Sequence, residues 1–222
     1  MKRKTKIGIA LAVPFVATVL FYRWQPQRID FFPAEPPAGP RVDPDSARFF
    51  SPEARVALVV AHPDDAEFYL GGTLLRLGRA GAAVRVFCLT DGDKGYYPPG
   101  FTDVKENRRV RRREQRAASA RYGARVEFFA YPDGRLADGP EVRSRLRDAL
   151  AAFRPEWILA FDPDFPPRVQ HADHVASGRI AGAVADGVPS AEWLLRFSTR
   201  SGNFAVDTSG LWDRKWEILM LH

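Results

Sequence analysis

Two kinds of hydrophobic pattern alternate along this chain, and together they predict an α/β domain. From Arg55 onward, short runs of branched apolar residues are separated by longer stretches with the apolar spacing of amphipathic helices. The runs that predict strands lie at residues 55–61, 83–89, 125–131 and 156–162. The stretches that predict helices lie at about residues 66–80, 104–122, 140–153 and 173–186.

This order of elements indicates an open, mostly parallel sheet with helices on both faces. Gly81 and Gly123 lie where two helices should end, and Pro140 lies where one should begin. After residue 190 the pattern is weaker: LLRFST could form a fifth strand and LWDRKWEILMLH a closing helix. We expect the strand order 3-2-1-4-5, in which the first and fourth strands are neighbours.

Residues 1–24 have the pattern of a basic flank followed by a membrane anchor. Residues 7–22 carry no charge and follow four basic residues, which is also typical of a signal peptide. No small-residue cleavage site follows, and the run ends in VLFYRW, whose aromatic and arginine residues suit a bilayer interface. We therefore favour a single-pass anchor over secretion by a cleaved signal peptide. The excess of basic residues before the segment predicts that the rest of the chain is exported, to the periplasm or the cell exterior.

Prolines recur through residues 25–50, and this predicts a stiff linker between the anchor and a domain at residues 51–222. The net charge of +6 arises at the N-terminus. Six of the 33 basic residues lie in residues 1–28, which contain no acid, and the other 27 balance the 27 acids. A nucleic-acid partner is therefore not expected, and the basic run at residues 105–121 lacks an aromatic stacking platform.

Residues capable of acid–base and metal chemistry follow the first and fourth predicted strands. AHPDDAEF, residues 61–68, follows the first, and HADH, residues 171–174, follows the fourth. Ligands of such sheets bind beyond the carboxyl ends of the strands, where the strand order reverses, so the two motifs should meet. Each motif alone could be structural, HPDD as a helix N-cap with spare carboxylates. Their joint occurrence at two neighbouring strand ends favours a functional site.

His62, Asp65 and His174 are the predicted metal ligands. Pro63 turns the chain between His62 and Asp65, so that both side chains face one point. Two histidines and one carboxylate leave a coordination position open for water, which is the pattern of hydrolytic zinc sites. Bound metal lowers the pKa of that water from 15.7 toward about 7.

Further roles are predicted around this group. Asp64, beside a ligand but pointing elsewhere, is free to take a proton from the water. His171 could face the other side of the substrate and stabilise an oxyanion or protonate a leaving amine. Asp173 is expected to orient one of the imidazoles. Glu67 fits a first-turn acid favoured by the helix dipole, and Arg111 could reach the rim of the pocket.

The motifs AHPDDAEFYLGGTLLRL, FCLTDGDKG, RRREQRAASARYG, YPDGRL and HADHVASGR resemble, in that order, those of the LmbE/PIG-L family of metal-dependent deacetylases. The resemblance runs from about residue 55 to residue 186, with a fainter echo at KWEILMLH. It implies a Rossmann-like fold and hydrolysis of an N-acyl group, usually the acetyl group of a glucosamine unit. The metal implied is Zn²⁺, with another divalent ion such as Fe²⁺ as the alternative.

In that family the residues matching His62, Asp65 and His174 bind metal, and those matching Asp64 and His171 act as the base and at the oxyanion. The resemblance also implies that Arg111 contacts substrate and that Asp91 and Asp133 line loops near the site. The motif HPDDAE departs from the commoner HPDDE, a variant that we associate with the bacterial branch. The role of His222 stays open.

The expected partner is a small-molecule or glycolipid amino sugar. One alternative is an amidase of the same fold with a different N-acyl substrate. Another is a metal-binding or sugar-binding protein without turnover, although such a protein would need neither Asp64 nor His171. The missing glycine fingerprint argues against a nucleotide-dependent oxidoreductase. The sequence makes no prediction of the oligomeric state.

Overall fold

The computed structural model describes residues 46–95, 103–164, 171–199 and 202–222. Its strands are β1 (Arg55–Val60), β2 (Ala83–Thr90), β3 (Arg125–Tyr131), β4 (Trp157–Phe161) and β5 (Trp193–Phe197). They form one sheet in the order β3-β2-β1-β4-β5, and every neighbouring pair is parallel. The predicted strands and the predicted strand order are confirmed.

The helices of the described residues are α1 (Ser46–Phe49), α2 (Asp65–Arg79), α3 (Val104–Ala120), α4 (Pro140–Phe153), α5 (Ala172–Ala185) and α6 (Trp212–Leu219). Helices α2 to α5 begin and end within two residues of the predicted positions. Helix α6 lies inside the stretch that was expected to form a closing helix. The α/β class and the parallel sheet are therefore as predicted.

Strand β1 is covered on both faces. Val56, Leu58 and Val60 belong to an apolar cluster that includes side chains of α2 and α6. Ala57 and Val59 belong to a second cluster that includes side chains of α4 and α5. A parallel strand that is buried on both faces has a continuous apolar sequence rather than an alternating one. This explains the uninterrupted run RVALVV.

Helix α1 lies within residues 25–50, the stretch predicted as a linker. Its Phe49 is 1% exposed and packs edge-on against Trp157, with 5.1 Å between ring centroids. The predicted anchor at residues 1–24, and the linker up to residue 45, lie outside the described residues. Within the part of the chain that the structure describes, no helix is long and apolar enough to cross a membrane.

Candidate active site

The residues after β1 and the start of α5 meet at the carboxyl end of the sheet. Val59 pairs with Ala160 in the β1–β4 ladder, so the segments that follow these two strands leave the sheet at the same edge. A cavity of about 650 Å³ opens there. Its walls contain seven of the nine predicted site residues, namely His62, Asp64, Asp65, Arg111, Asp133, His171 and His174.

The three predicted metal ligands lie together. His62 Nδ1 is 3.3 Å from His174 Nε2 and 3.6 Å from Asp65 Oδ2, and His174 Nε2 is 3.0 Å from Asp65 Oδ1. Ligand atoms about 2.1 Å from a tetrahedral zinc ion are about 3.4 Å apart, so the group could hold such an ion. A second group of potential ligands, His62, His171 and Asp173, is also close but uses the same histidine.

Asp65 is fixed by the turn that leads from β1 into α2. Its Oδ2 accepts hydrogen bonds from the backbone nitrogens of Ala61, at 3.1 Å, and His62, at 2.8 Å. Burial alone would raise the pKa of Asp65, but hydrogen bonds from His174 and His62 hold that pKa well below its usual range. Asp65 is therefore a carboxylate, the form that binds a metal.

The second ring nitrogen of His62 faces two acids. His62 Nε2 is 3.2 Å from Asp173 Oδ2 and 3.2 Å from Asp133 Oδ1. Burial lowers the pKa of His62, but Asp133, Asp173 and Asp65 together raise it to about 12. Without a metal the ring therefore carries a proton on both nitrogens. Metal binding would displace the proton on Nδ1 and leave the one on Nε2 facing the two acids. Carboxylates in this position orient a metal-binding histidine and fix its tautomer, so the geometry suits the role predicted for Asp173 and extends it to Asp133.

Asp173 also ties the loop after β3 to α5. It is 1% exposed, and its oxygens accept hydrogen bonds from the backbone nitrogens of Gly134, at 2.7 Å, and Leu136, at 3.1 Å. Burial opposes ionisation, but the bonds from His62 and from these two nitrogens lower the pKa of Asp173. The carboxylate therefore holds the histidine and the loop at once.

Asp64 precedes α2 in a left-handed conformation, with φ 97° and ψ −28°. Its side chain makes no capping hydrogen bond, so the alternative that HPDD serves as an N-cap fails at this residue. Asp64 Oδ2 instead accepts a hydrogen bond of 2.7 Å from Arg111. Burial and the charge of Asp65 raise the pKa of Asp64, and Arg111 opposes that shift. A raised pKa suits a carboxylate that accepts a proton near neutral pH.

Arg111 and Asp91 are both paired with oppositely charged side chains, but only Arg111 is among the described residues that line the cavity. Arg111 lines the cavity, but it donates to Asp64 and to the carbonyl oxygen of Pro63. Asp91 is absent from the described residues that line the cavity. Both of its oxygens are held by Arg112, at 2.7 and 2.8 Å. Asp91 is thus paired with a helix arginine and lies outside the cavity lining, and its approach to a substrate stays a prediction.

His171 lies at the N-terminus of α5, with its ring centroid 4.7 Å from that of His62. Its Nδ1 accepts a hydrogen bond from the backbone nitrogen of Asp173 at 3.2 Å, so Nε2 carries the proton of the neutral ring. Burial and the charge of His62 lower the pKa of His171. A neutral imidazole with a free N–H can donate to a developing oxyanion.

Sequence reasoning missed a cluster of buried polar residues beside the site. Glu67 is 0% exposed and lies 3.1 Å from His222 Nε2, and His222 lines the cavity. Gln115 and Tyr122 contact the same carboxylate. Glu67 is thus more than a first-turn acid favoured by the helix dipole. The weak match at KWEILMLH was the signal that could have pointed to His222.

Residues 57–185 match the family described as PIG-L: GlcNAc-PI de-N-acetylase. The chain belongs to this family. The resemblance identified from the motifs is thereby confirmed. A solved structure, N,N′-diacetylchitobiose deacetylase from Pyrococcus horikoshii, is similar with a TM-score of 0.72 and 25% identity, over 76% of this chain and 69% of that one.

Curated PIG-L relatives carry names of two kinds. A 4-oxalmesaconate hydratase from Pseudomonas putida is 26% identical over 189 residues, which is 76% of this chain and 73% of the relative. A 1D-myo-inositol 2-acetamido-2-deoxy-alpha-D-glucopyranoside deacetylase from Mycobacterium sp. (strain JLS) is 29% identical over 181 residues. That match covers 68% of this chain, which spans 58% of the length of the mycobacterial protein.

Proposed function

We propose that this PIG-L family protein is a metal-dependent deacetylase that hydrolyses the N-acetyl amide of an amino sugar, releasing acetate and a free amine. The observation that carries this proposal is a carboxylate that does not cap its own helix and lies beside a group of potential metal ligands. Asp64 begins a helix that it does not cap, next to three ligand atoms that are 3.0 to 3.6 Å apart.

His62, Asp65 and His174 would hold the metal, with Zn²⁺ as the expected ion and Fe²⁺ as the alternative. Nitrogen and carboxylate donors in this number are typical of hydrolytic zinc sites. When bound, the metal supplies Lewis acidity, which activates water and polarises the acyl carbonyl group. Asp133 and Asp173 keep the His62 ring in the orientation and tautomer that this task needs.

Asp64 and His171 would carry out the proton transfers and the charge stabilisation. Asp64 takes the proton from the attacking water, and its raised pKa makes it a competent base. His171 donates a hydrogen bond from Nε2 to the oxyanion, or passes a proton to the leaving nitrogen. Arg111 keeps Asp64 within the cavity through the 2.7 Å hydrogen bond.

The cavity has the size and the mixed lining that an amino sugar requires. Its volume of about 650 Å³ lies within the usual range for small-molecule sites. Phe68, Tyr69 and Leu219 add apolar surface to a lining that also contains acidic residues. We infer that the substrate is a small-molecule or glycolipid conjugate of an N-acetylated amino sugar.

A hydratase is the second candidate, because the 4-oxalmesaconate hydratase is similar over most of this chain. Deacetylation and hydration both add water to the substrate, and a metal held by His62, Asp65 and His174 would activate that water. They differ in what happens next, since hydration breaks no amide bond and releases no acetate.

The test is to incubate the zinc-loaded chain with a panel of N-acetylglucosaminides, with and without a chelator, and to measure acetate. A parallel reaction with 4-oxalmesaconate measures hydration, and Asp64→Asn controls for contaminating enzymes. We expect chelator-sensitive acetate release that the variant lacks. Hydration without acetate release would show that the chain is a hydratase and not a deacetylase. The absence of both activities would refute the proposed function.

A further inference from the structure

Glu67 is a buried carboxylate with no task in the mechanism above. It lies in the first turn of α2 and is 0% exposed. Its oxygens accept hydrogen bonds from Gln115 Nε2 at 2.9 Å and from the Tyr122 hydroxyl at 2.6 Å, and His222 Nε2 is 3.1 Å away. A buried carboxylate needs such partners, and they fix its position in return.

Gln115 of α3 connects this carboxylate to Asp64. Its Nε2 donates to Glu67, and also to Ser119 Oγ at 3.0 Å. Its Oε1 accepts a hydrogen bond of 2.9 Å from the backbone nitrogen of Asp64. Both oxygens of Glu67 accept from Gln115 Nε2, at 2.9 and 3.2 Å, so Glu67 determines which end of the amide faces it. The amide oxygen is thereby turned toward Asp64.

The backbone of Asp64 needs such support. A residue with a side chain is strained at φ 97°, and strain of this kind persists only where surrounding groups hold it. The carbonyl oxygen of Asp64 accepts from the backbone nitrogen of Phe68 at 2.9 Å, and the carboxylate accepts from Arg111. Gln115 Oε1 accepts the hydrogen bond from the backbone nitrogen of Asp64.

We propose that Gln115 is a positioning residue for Asp64, and that Glu67 fixes the amide orientation in which it acts. The inference rests on the proposed function, in which Asp64 accepts the proton. Without the hydrogen bond that the Asp64 backbone nitrogen donates to Gln115, the peptide group before Asp64 can relax out of its strained conformation, and the carboxylate moves relative to the metal ligands. A displacement of about 1 Å can reduce a reaction rate by about 10²-fold.

The test compares Gln115→Met with a matched control, Tyr122→Phe. Methionine has a similar length but neither accepts nor donates as the amide does. Tyr122→Phe removes a different hydrogen bond to Glu67 and leaves the contact with Asp64 in place. We expect Gln115→Met to lower kcat by about 10- to 100-fold at unchanged metal content and KM. Tyr122→Phe should stay within about threefold of the parent.

A second measurement separates positioning from general loss of stability. Amide hydrogen exchange of residue 64, followed by NMR in the full chain, should be at least about tenfold faster in Gln115→Met than in Tyr122→Phe. If Gln115→Met does not fold, Glu67→Gln serves instead, because a neutral amide no longer dictates the orientation of Gln115. Equal exchange rates of the residue 64 amide in Tyr122→Phe and in Gln115→Met, or in Glu67→Gln where that variant is used, would overturn the proposal.

A double variant completes the test. In the Asp64→Asn background, Gln115→Met should lower kcat by less than about twofold, since its effect acts through Asp64. A full additional loss would show that Gln115 acts elsewhere. A parent chain without deacetylase activity would refute the proposed function, while the exchange data would still decide whether Gln115 positions residue 64.

Discussion

Asp64 and Asp65 are adjacent in the chain but make different contacts. Asp65 accepts from two backbone nitrogens and faces both histidines of the ligand group, whereas Asp64 faces Arg111. Asp64→Asn keeps the shape but not the ability to accept a proton, so kcat should fall by about 10²–10⁴-fold with metal content unchanged. Asp65→Asn should instead lose metal and recover part of its activity in excess zinc. Metal analysis beside steady-state kinetics checks both, and loss of metal from Asp64→Asn would mean that the two roles are wrongly assigned.

The orientation of His62 by Asp173 leads to a prediction about metal affinity. Asp173→Asn removes the charge beside His62 Nε2, so zinc affinity should weaken by about 10- to 100-fold. Asp91→Asn is a matched control, because Asp91 is equally buried at 1% but pairs with Arg112. Competition with a chelating dye measures both affinities. Equal zinc affinities in the two variants would contradict the orienting role.

For single residues, the sequence predicted which polar side chains lie together better than it predicted the partners of those side chains. His62, Asp65 and His174 could be predicted because strand ends fix where such motifs meet. The pairing of Asp91 with Arg112 could not, because it depends on how α3 lies against the carboxyl end of β2. The sequence indicated only that Glu67 lies in the first turn of a helix. Its buried contact with Gln115 could not be predicted, because it forms only when α2 packs against α3.

At the scale of elements, α5 carries His174 to the site by lying close against β4. A side chain at Gly178 would clash with the carbonyl oxygen of Phe161, whereas one at Gly182 would meet the Arg196 guanidinium at an ordinary 3.5 Å. Gly178→Ala should therefore destabilise the fold by about 1–3 kcal/mol and weaken zinc binding. Gly182→Ala should be neutral or stabilising by up to about 1 kcal/mol. Chemical denaturation distinguishes the two, and equal stabilities would contradict this account of the helix–strand contact.

Most strands and helices could be predicted closely from the sequence. Continuous apolar runs and the glycines that follow two helices placed the ends of β1 to β4 and α2 to α5 within two residues. The end of the chain was less clear because β5 has only five residues and exposed Arg196 interrupts its apolar run. Its sequence therefore lacks the uninterrupted apolar character of β1.

At the scale of the whole molecule, we propose that residues 1–24 anchor an exported domain. A C-terminal reporter that is active only outside the cytoplasm should give a signal. The basic residues before the uncharged run favour a cytoplasmic N-terminus, which places the C-terminus on the other side of the membrane. A chain that begins at residue 45 should be recovered without detergent and retain hydrolysis of a water-soluble substrate. The matched control is a reporter of opposite preference, and a cytoplasmic signal from it would overturn the topology but leave the chemistry untouched.

The central claim is that hydrolysis depends on one metal ion held by His62, Asp65 and His174. Its most direct test is a zinc titration of the metal-depleted chain, with acetate release from an N-acetylglucosaminide as the readout. Because both groups of potential ligands share His62, release should rise with added Zn²⁺ and level off at about one equivalent per chain. Full acetate release by the metal-free chain, or no release at any zinc concentration, would contradict the account.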